Sequence, residues 1–271
     1  MKYMMIAFVL SSTLITTPTH AHDPVFGLGP HVLFKGGMEV AVDILKKQSS
    51  DNQDTTDVSE LGLELTYGLT GDWAAGIDIP FIEQSDTTTH KDGQGDLTLF
   101  TKYRFWRDDG PGLQQSMALA LKLKTDTADS NIGTGTTDGV VGLSYGYEAR
   151  KWYRWAALRY RFNGENEFGL RRSNKTLLDL VVGIRPYQTG YKKPDTVWLL
   201  ELNGELSERA ELSGVPLSNT GGTEWFVSPG IFWTLRNFAI KAGAQLPISD
   251  NLKGNQKMSD YRLKLVLEWH I

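Results

Sequence analysis

The sequence predicts an all-β protein, specifically a transmembrane antiparallel up-and-down β-barrel of about 12 strands. Three observations predict it. Segment after segment alternates apolar and charged residues with period two, which puts one apolar and one polar face on each strand. The connections between segments alternate short and long. Aromatic residues gather at both ends of the segments, where the two interfaces of a membrane would hold them. A soluble β-sandwich also alternates, but it would bury its apolar face and would not oppose that face with charge on nearly every strand.

The start of the chain sets the compartment. Met1 and Lys2 form a short positive region, Met4 to Leu10 are apolar, and Thr19-His20-Ala21 is a small-x-small cleavage site. Residues 1–21 therefore read as a secretory signal peptide and 22–271 as one outer-membrane barrel domain. The apolar run is too short for a membrane helix, and no other stretch approaches the roughly 20 apolar residues that one needs. A chain of this kind enters a bilayer only as a closed barrel, because nothing else satisfies its backbone there. With Cys 0, disulfides and thiolate metal sites are excluded. A net charge of -4 argues against nucleic acid as a partner.

Behind a Gly- and Pro-containing lead from His22 to Pro30, the first strand is expected over His31–Lys46, with Met38, Val40, Val42 and Ile44 opposite Glu39 and Asp43. The second, Val58–Leu69, sets Leu61, Leu63, Leu65 and Tyr67 against Glu60 and Glu64. The third sets Trp73, Ile77, Ile79 and Phe81 against Asp78. The fourth and fifth oppose Leu97, Leu99, Tyr103 and Phe105 to Lys102 and Arg104, and Met117, Leu119, Leu121 and Leu123 to Lys122 and Lys124. The sixth, near 139–149, is interrupted by glycine. The seventh and eighth oppose Leu158, Tyr160 and Phe162 to Arg159 and Arg161, and Leu178, Leu180 and Val182 to Asp179. The ninth carries Trp198, Leu200 and Leu202 against Glu201 and Glu205. The tenth contains Ser228-Pro229-Gly230, where a proline without an N–H predicts a bulge. The eleventh sets Phe238, Ile240 and Ala242 against Lys241. In the last, Leu263, Leu265, Leu267, Trp269 and Ile271 oppose Arg262, Lys264, Val266, Glu268 and His270.

Tight connections are expected at Thr70-Gly71-Asp72, Asp108–Gly112, Arg150-Lys151 and Arg236-Asn237. Long polar ones are expected at 47–57, 84–95, 126–138, 163–174, 208–223 and 250–260. Tyr67, Trp73, Trp233, Phe238 and Trp269 lie beside the short turns, and Phe81, Phe162 and Trp225 beside the long loops. In an outer-membrane barrel the short turns, and with them both termini, face the periplasm.

The terminal strand resembles the C-terminal assembly signal of bacterial outer-membrane barrels, with Ile271 where Phe is usual. A second resemblance is carried by Gly93-Gln94-Gly95-Asp96, Lys102-Tyr103, the loop Gly133-Thr134-Gly135-Thr136-Thr137-Asp138, and the strand-ending prolines of Ile79-Pro80-Phe81 and Leu246-Pro247-Ile248. These are similar to the outer-membrane transporters grouped as the MetA-pathway phenol-degradation family. Where that family often has Pro-Thr-Gly after its fifth strand, this chain has Thr125-Asp126-Thr127. The resemblance implies a barrel that carries small organic molecules.

The inward charges indicate function. Glu39, Asp43, Glu60, Glu64 and Asp78 form an acidic sector on the first three strands. Lys102, Arg104, Lys122, Lys124, Arg159 and Arg161 follow as a basic one, then Asp179, Glu201 and Glu205, with Lys241 and Lys264 near the end. All are candidates to line a pore. Eight strands fill with side chains and sixteen leave an aqueous channel, so twelve admits either a narrow channel or charges that pair and plug it.

No Gly-x-Ser-x-Gly elbow or helix-spaced metal motif is present, so no catalytic residue is assigned and no cofactor is expected. His22, at the processed terminus, is the one metal-ligand candidate, through its amine and imidazole. The expectation is passive transport of small solutes, aromatic or otherwise organic. The alternative is a plugged barrel with a structural, sensing or lipid-acting enzymatic role. Expected partners are outer-membrane lipid, the assembly machinery acting on the C-terminal strand, and the solute.

Overall fold

A computed structural model describes residues 23–51, 54–189 and 192–271. The signal peptide expected at 1–21 and the metal candidate His22 lie outside the described residues. Twelve long strands form one closed ring: β1 (Met38–Ser50), β2 (Thr55–Gly68), β3 (Trp73–Ser85), β5 (Thr98–Gly110), β6 (Leu113–Lys124), β7 (Asp138–Ala149), β8 (Trp152–Phe162), β10 (Lys175–Ile184), β11 (Asp195–Ser207), β14 (Gly222–Leu235), β15 (Phe238–Leu252) and β16 (Met258–His270). Short strands stand at the loop end. Strand β4 (His90–Gln94) pairs with β3, while β9 (Leu170–Arg171), β12 (Glu211–Leu212) and β13 (Val215–Pro216) form a small separate sheet.

Each long strand pairs antiparallel with its neighbours, and β1 closes on β16 from Glu39↔His270 to Ser50↔Met258. Closure removes both sheet edges, so the wall leaves no row of unpaired backbone facing lipid. The outward face carries large apolar side chains around the ring, among them Leu63, Leu99, Leu121, Leu143, Leu158, Leu180, Leu200 and Leu263, all exposed. Leaving such a belt in water would forgo roughly 1.5–3 kcal/mol per side chain, which a lipid surround recovers. At the short-turn end Trp233 meets Phe238 at 6.3 Å and Phe238 meets Trp269 at 5.0 Å, giving a patch of interfacial aromatics.

Several boundaries differ from the expectation. The first strand begins at Met38, not His31, and Phe34–Gly37 form the turn that leads into it. The strands flanking the loops expected at 47–57 and 250–260 pair further, leaving only 51–54 and 253–257 between them. Polar side chains do not prevent pairing where strands rise above a membrane into water. The connection from β10 to β11 spans 185–194, a ten-residue exception to the short turns at its end. No bulge forms at Pro229. Register is continuous from Val227↔Leu246 to Gly230↔Gly243, and the shift lies between Trp225 and Phe226. Pro229 sits opposite Leu200 on β11, in a stretch of β14 where Ser228 and Pro229 have no partner on β15, so its missing N–H breaks no bond of that ladder.

Candidate functional site: a strapped lumen

The lumen is not empty. Residues 23–34 fold back inside the barrel as an irregular strap. Strand β11 places Glu201 inward, and its carboxylate accepts three consecutive backbone N–H groups: Val25 at 2.7 Å, Phe26 at 3.2 Å and Gly27 at 3.0 Å. Glu201 is only 1% exposed. Successive amides converging on one anion satisfy a buried charge that would otherwise be costly. Further ties hold the strap along its length. Lys102 donates to Asp23 at 2.7 Å, Arg159 to the Phe26 carbonyl at 3.4 Å, and His31 pairs with Glu148.

Apolar contacts complete the seat. Val25 packs into a buried cluster with Tyr153, Trp155, Val181, Val197, Leu199, Phe232 and Ala239, with Phe26 against it. Two glycines make room by close approach. A Cβ at Gly146 would stand 2.7 Å from Pro30, and one at Gly243 would stand 3.1 Å from Phe26. The strap thus covers one side of the lumen, over β8, β10, β11, β14 and β15. On the other side it leaves a cavity of about 470 Å³ against β1, β2, β3, β5, β6 and β16, which Arg161 of β8 and Lys241 of β15 also line.

All sixteen predicted inward charges can be placed. Glu39, Asp43, Glu60, Glu64, Asp78, Lys102, Lys122, Arg161, Lys241 and Lys264 border this cavity. The other six do not. Arg104 is turned toward the β2–β3 turn, donating to Asp72 at 2.7 Å and to the Gly71 carbonyl at 2.7 Å. Lys124 is held by Asp96, Thr134 and the Thr136 carbonyl beneath the loops. Arg159 pairs with Asp179 at 2.7 Å, and Asp179 accepts from Asn203 at 2.9 Å. Glu201 holds the strap, and Glu205 sits between Lys175 and Arg262.

Several cavity charges are also paired: Lys102 with Asp23, Lys264 with Asp43 at 2.9 Å, and Lys241 with Glu268. Among the described residues neither Glu60 nor Glu64 forms an ion pair with the basic wall, where Lys102 takes Asp23 and Lys124 takes Asp96. Glu39, Glu268 and His270 bring ligand-type atoms within 4.8 Å of one another, but Glu268 is already engaged by Lys241.

Sequence reading missed the strap and its seat. A signal was present: Val181-Val182-Gly183-Ile184 and Val197-Trp198-Leu199-Leu200 are apolar on both faces, the pattern of strands covered on both sides.

Architecture and apolar belt together define a closed transmembrane β-barrel of the outer-membrane channel fold. Residues 21–250 match the family described as "Putative MetA-pathway of phenol degradation", and the chain belongs to that family. The fold is similar to an outer membrane channel from Pseudomonas putida F1, with a TM-score of 0.72 and 15% identity over 93% of this chain and 100% of that one. It is also similar to the β domain of the Bordetella autotransporter BrkA, with a TM-score of 0.52 and 15% identity over 88% of this chain and 100% of that one. A search of curated proteins finds no match.

Proposed function

We propose that this chain is an outer-membrane conduit for passive movement of small organic solutes, narrowed by its own N-terminal strap and reaching the membrane after removal of residues 1–21. The observation that carries the reading is the closed barrel enclosing a charged cavity of about 470 Å³ beside the strap. That volume is in the range of ordinary small-molecule pockets, roughly 300–1,000 Å³. Wall charges set which solutes enter a path this narrow. Family membership and the channel-like fold support transport, and the catalytic alternative has no nucleophile motif behind it.

A second reading has its own observation. Three amides on Glu201 anchor the strap firmly, as a permanent plug would require. Liposome swelling with a graded series of small organic solutes separates the two, using the full chain and a form lacking residues 23–34. Swelling by both forms supports the conduit. Swelling by the deleted form alone supports the plug, and none by either overturns transport.

A further inference from the structure

We propose that the cavity beside the strap is a binding site for small zwitterions, with an ammonium group held by the β2–β3 wall and a carboxylate by Lys122. The inference rests on the conduit reading for how such a solute arrives, but binding is measurable without transport.

The argument starts from register. Glu64 and Asp78 are direct cross-strand partners on β2 and β3. Both border the cavity, and Glu60 lies two inward steps along β2, beyond Gly62. Like charges directly opposite repel unless something positive compensates them. The ion pairs of the described residues consume Asp43, Lys264, Lys102, Lys241 and Glu268, but include none for Glu60, Glu64 or Asp78. Lys122 and Arg161 border the same cavity and form none either. Charges of both signs therefore face one space without touching.

Their arrangement leaves a place for an intervening molecule. Gly62 lets the acidic side chains draw together over the β2 backbone: a Cβ there would lie 3.2 Å from Asp78 Oδ1 and 3.5 Å from the Asp43 Cβ. Asp43 uses one oxygen for Lys264, while its Oδ1 is buried without a hydrogen-bond partner. Across β5, the register sets Gly76, Phe100 and Lys122 in one row, so Phe100 lies between acidic β3 and basic β6. Two strand spacings separate those backbones by about 10 Å. Lys122 Nζ already stands 5.4 Å from the Phe100 ring centroid. A short zwitterion laid over that ring reaches carboxylates at one end and the lysine at the other. A neutral solute compensates neither wall, and a simple cation or anion compensates only one.

The test uses the purified full chain in detergent and isothermal titration with 4-aminobutyrate, butylamine, butyrate and butyramide at neutral pH. The expected result is 4-aminobutyrate binding at least tenfold tighter than the other three. Lys122→Gln and the pair Glu64→Gln with Asp78→Asn should each reduce that preference tenfold. Heat-modifiable migration on gels shows that each variant is folded, and the two walls are tested independently, so a folding failure on one side leaves the other informative. Equal binding of all four probes, a preference for butylamine alone, or variants that bind as the wild type does would overturn the site. Glycerol swelling of liposomes carrying the same wild-type protein reads the transport proposal separately.

Discussion

Glu201 shows what one inward residue decides. Glu201→Ala leaves the Val25, Phe26 and Gly27 amides without that acceptor, at about 1–3 kcal/mol for each group that stays buried and unsatisfied. The expected outcome is a strap that undocks, read as protease cleavage within residues 23–34 while the barrel stays resistant. Glu201→Gln keeps one acceptor oxygen and should cost about 1 kcal/mol. Strap protection unchanged by Glu201→Ala would show that the apolar seat of Val25 and the remaining ties, Lys102 to Asp23 and His31 to Glu148, hold it without the carboxylate. A second residue pair tests the wall. Leu267 faces outward opposite Val42 and Ile240, whereas Val266, 5% exposed, borders the cavity. Leu267→Arg should cost about 2–4 kcal/mol near the bilayer midplane. Val266→Arg should cost less, because carboxylates and water are within reach. Denaturant unfolding in lipid reads the difference, and equal losses would contradict the register.

At the scale of elements, the loop end is tied together. Asp54, in the β1–β2 turn, accepts from Lys257 in the β15–β16 loop at 2.6 Å and from the Thr87 amide at 3.1 Å. The Lys257 hydrogen bond, with those from Thr87, lowers the Asp54 carboxyl from 3.8 to about 2. A depressed folded-state pKa means the tie contributes fully above about pH 4 and is lost as pH falls toward 2. Carboxyl NMR titration should find Asp54 still ionised at pH 3, and an ordinary carboxylate titration would remove the tie. Lys257→Ala should return Asp54 upward. Connection length predicts orientation too. Tags inserted near Asn131 or Asn219 should be labelled on intact cells and one at Asn237 should not, with the reverse pattern inverting the topology.

For the whole molecule, ring closure and the apolar belt predict recovery in the outer-membrane fraction and heat-modifiable migration on gels. Soluble recovery from the periplasm after washing would contradict both. The fold was legible in the sequence because period-two alternation is local: each of Leu263, Leu265 and Leu267 declares its face without reference to any distant residue. So the strand count, the antiparallel order and the inward placement of Glu60, Glu64, Asp78 and Lys122 followed from short windows. Pairing among inward charges did not follow. The chain contains acids and bases enough for many pairings, and only the closed ring brings Lys102 to Asp23 across 79 positions or Val25 to Glu201 across 176.

The sequence by itself determined a belted barrel with a charged interior, since alternation and turn chemistry act between neighbours. Tertiary structure alone decided that residues 23–34 cover one side of that interior. An irregular Gly/Pro segment has no period to read, and its place is set by buried amides, one carboxylate and an apolar seat drawn from five strands.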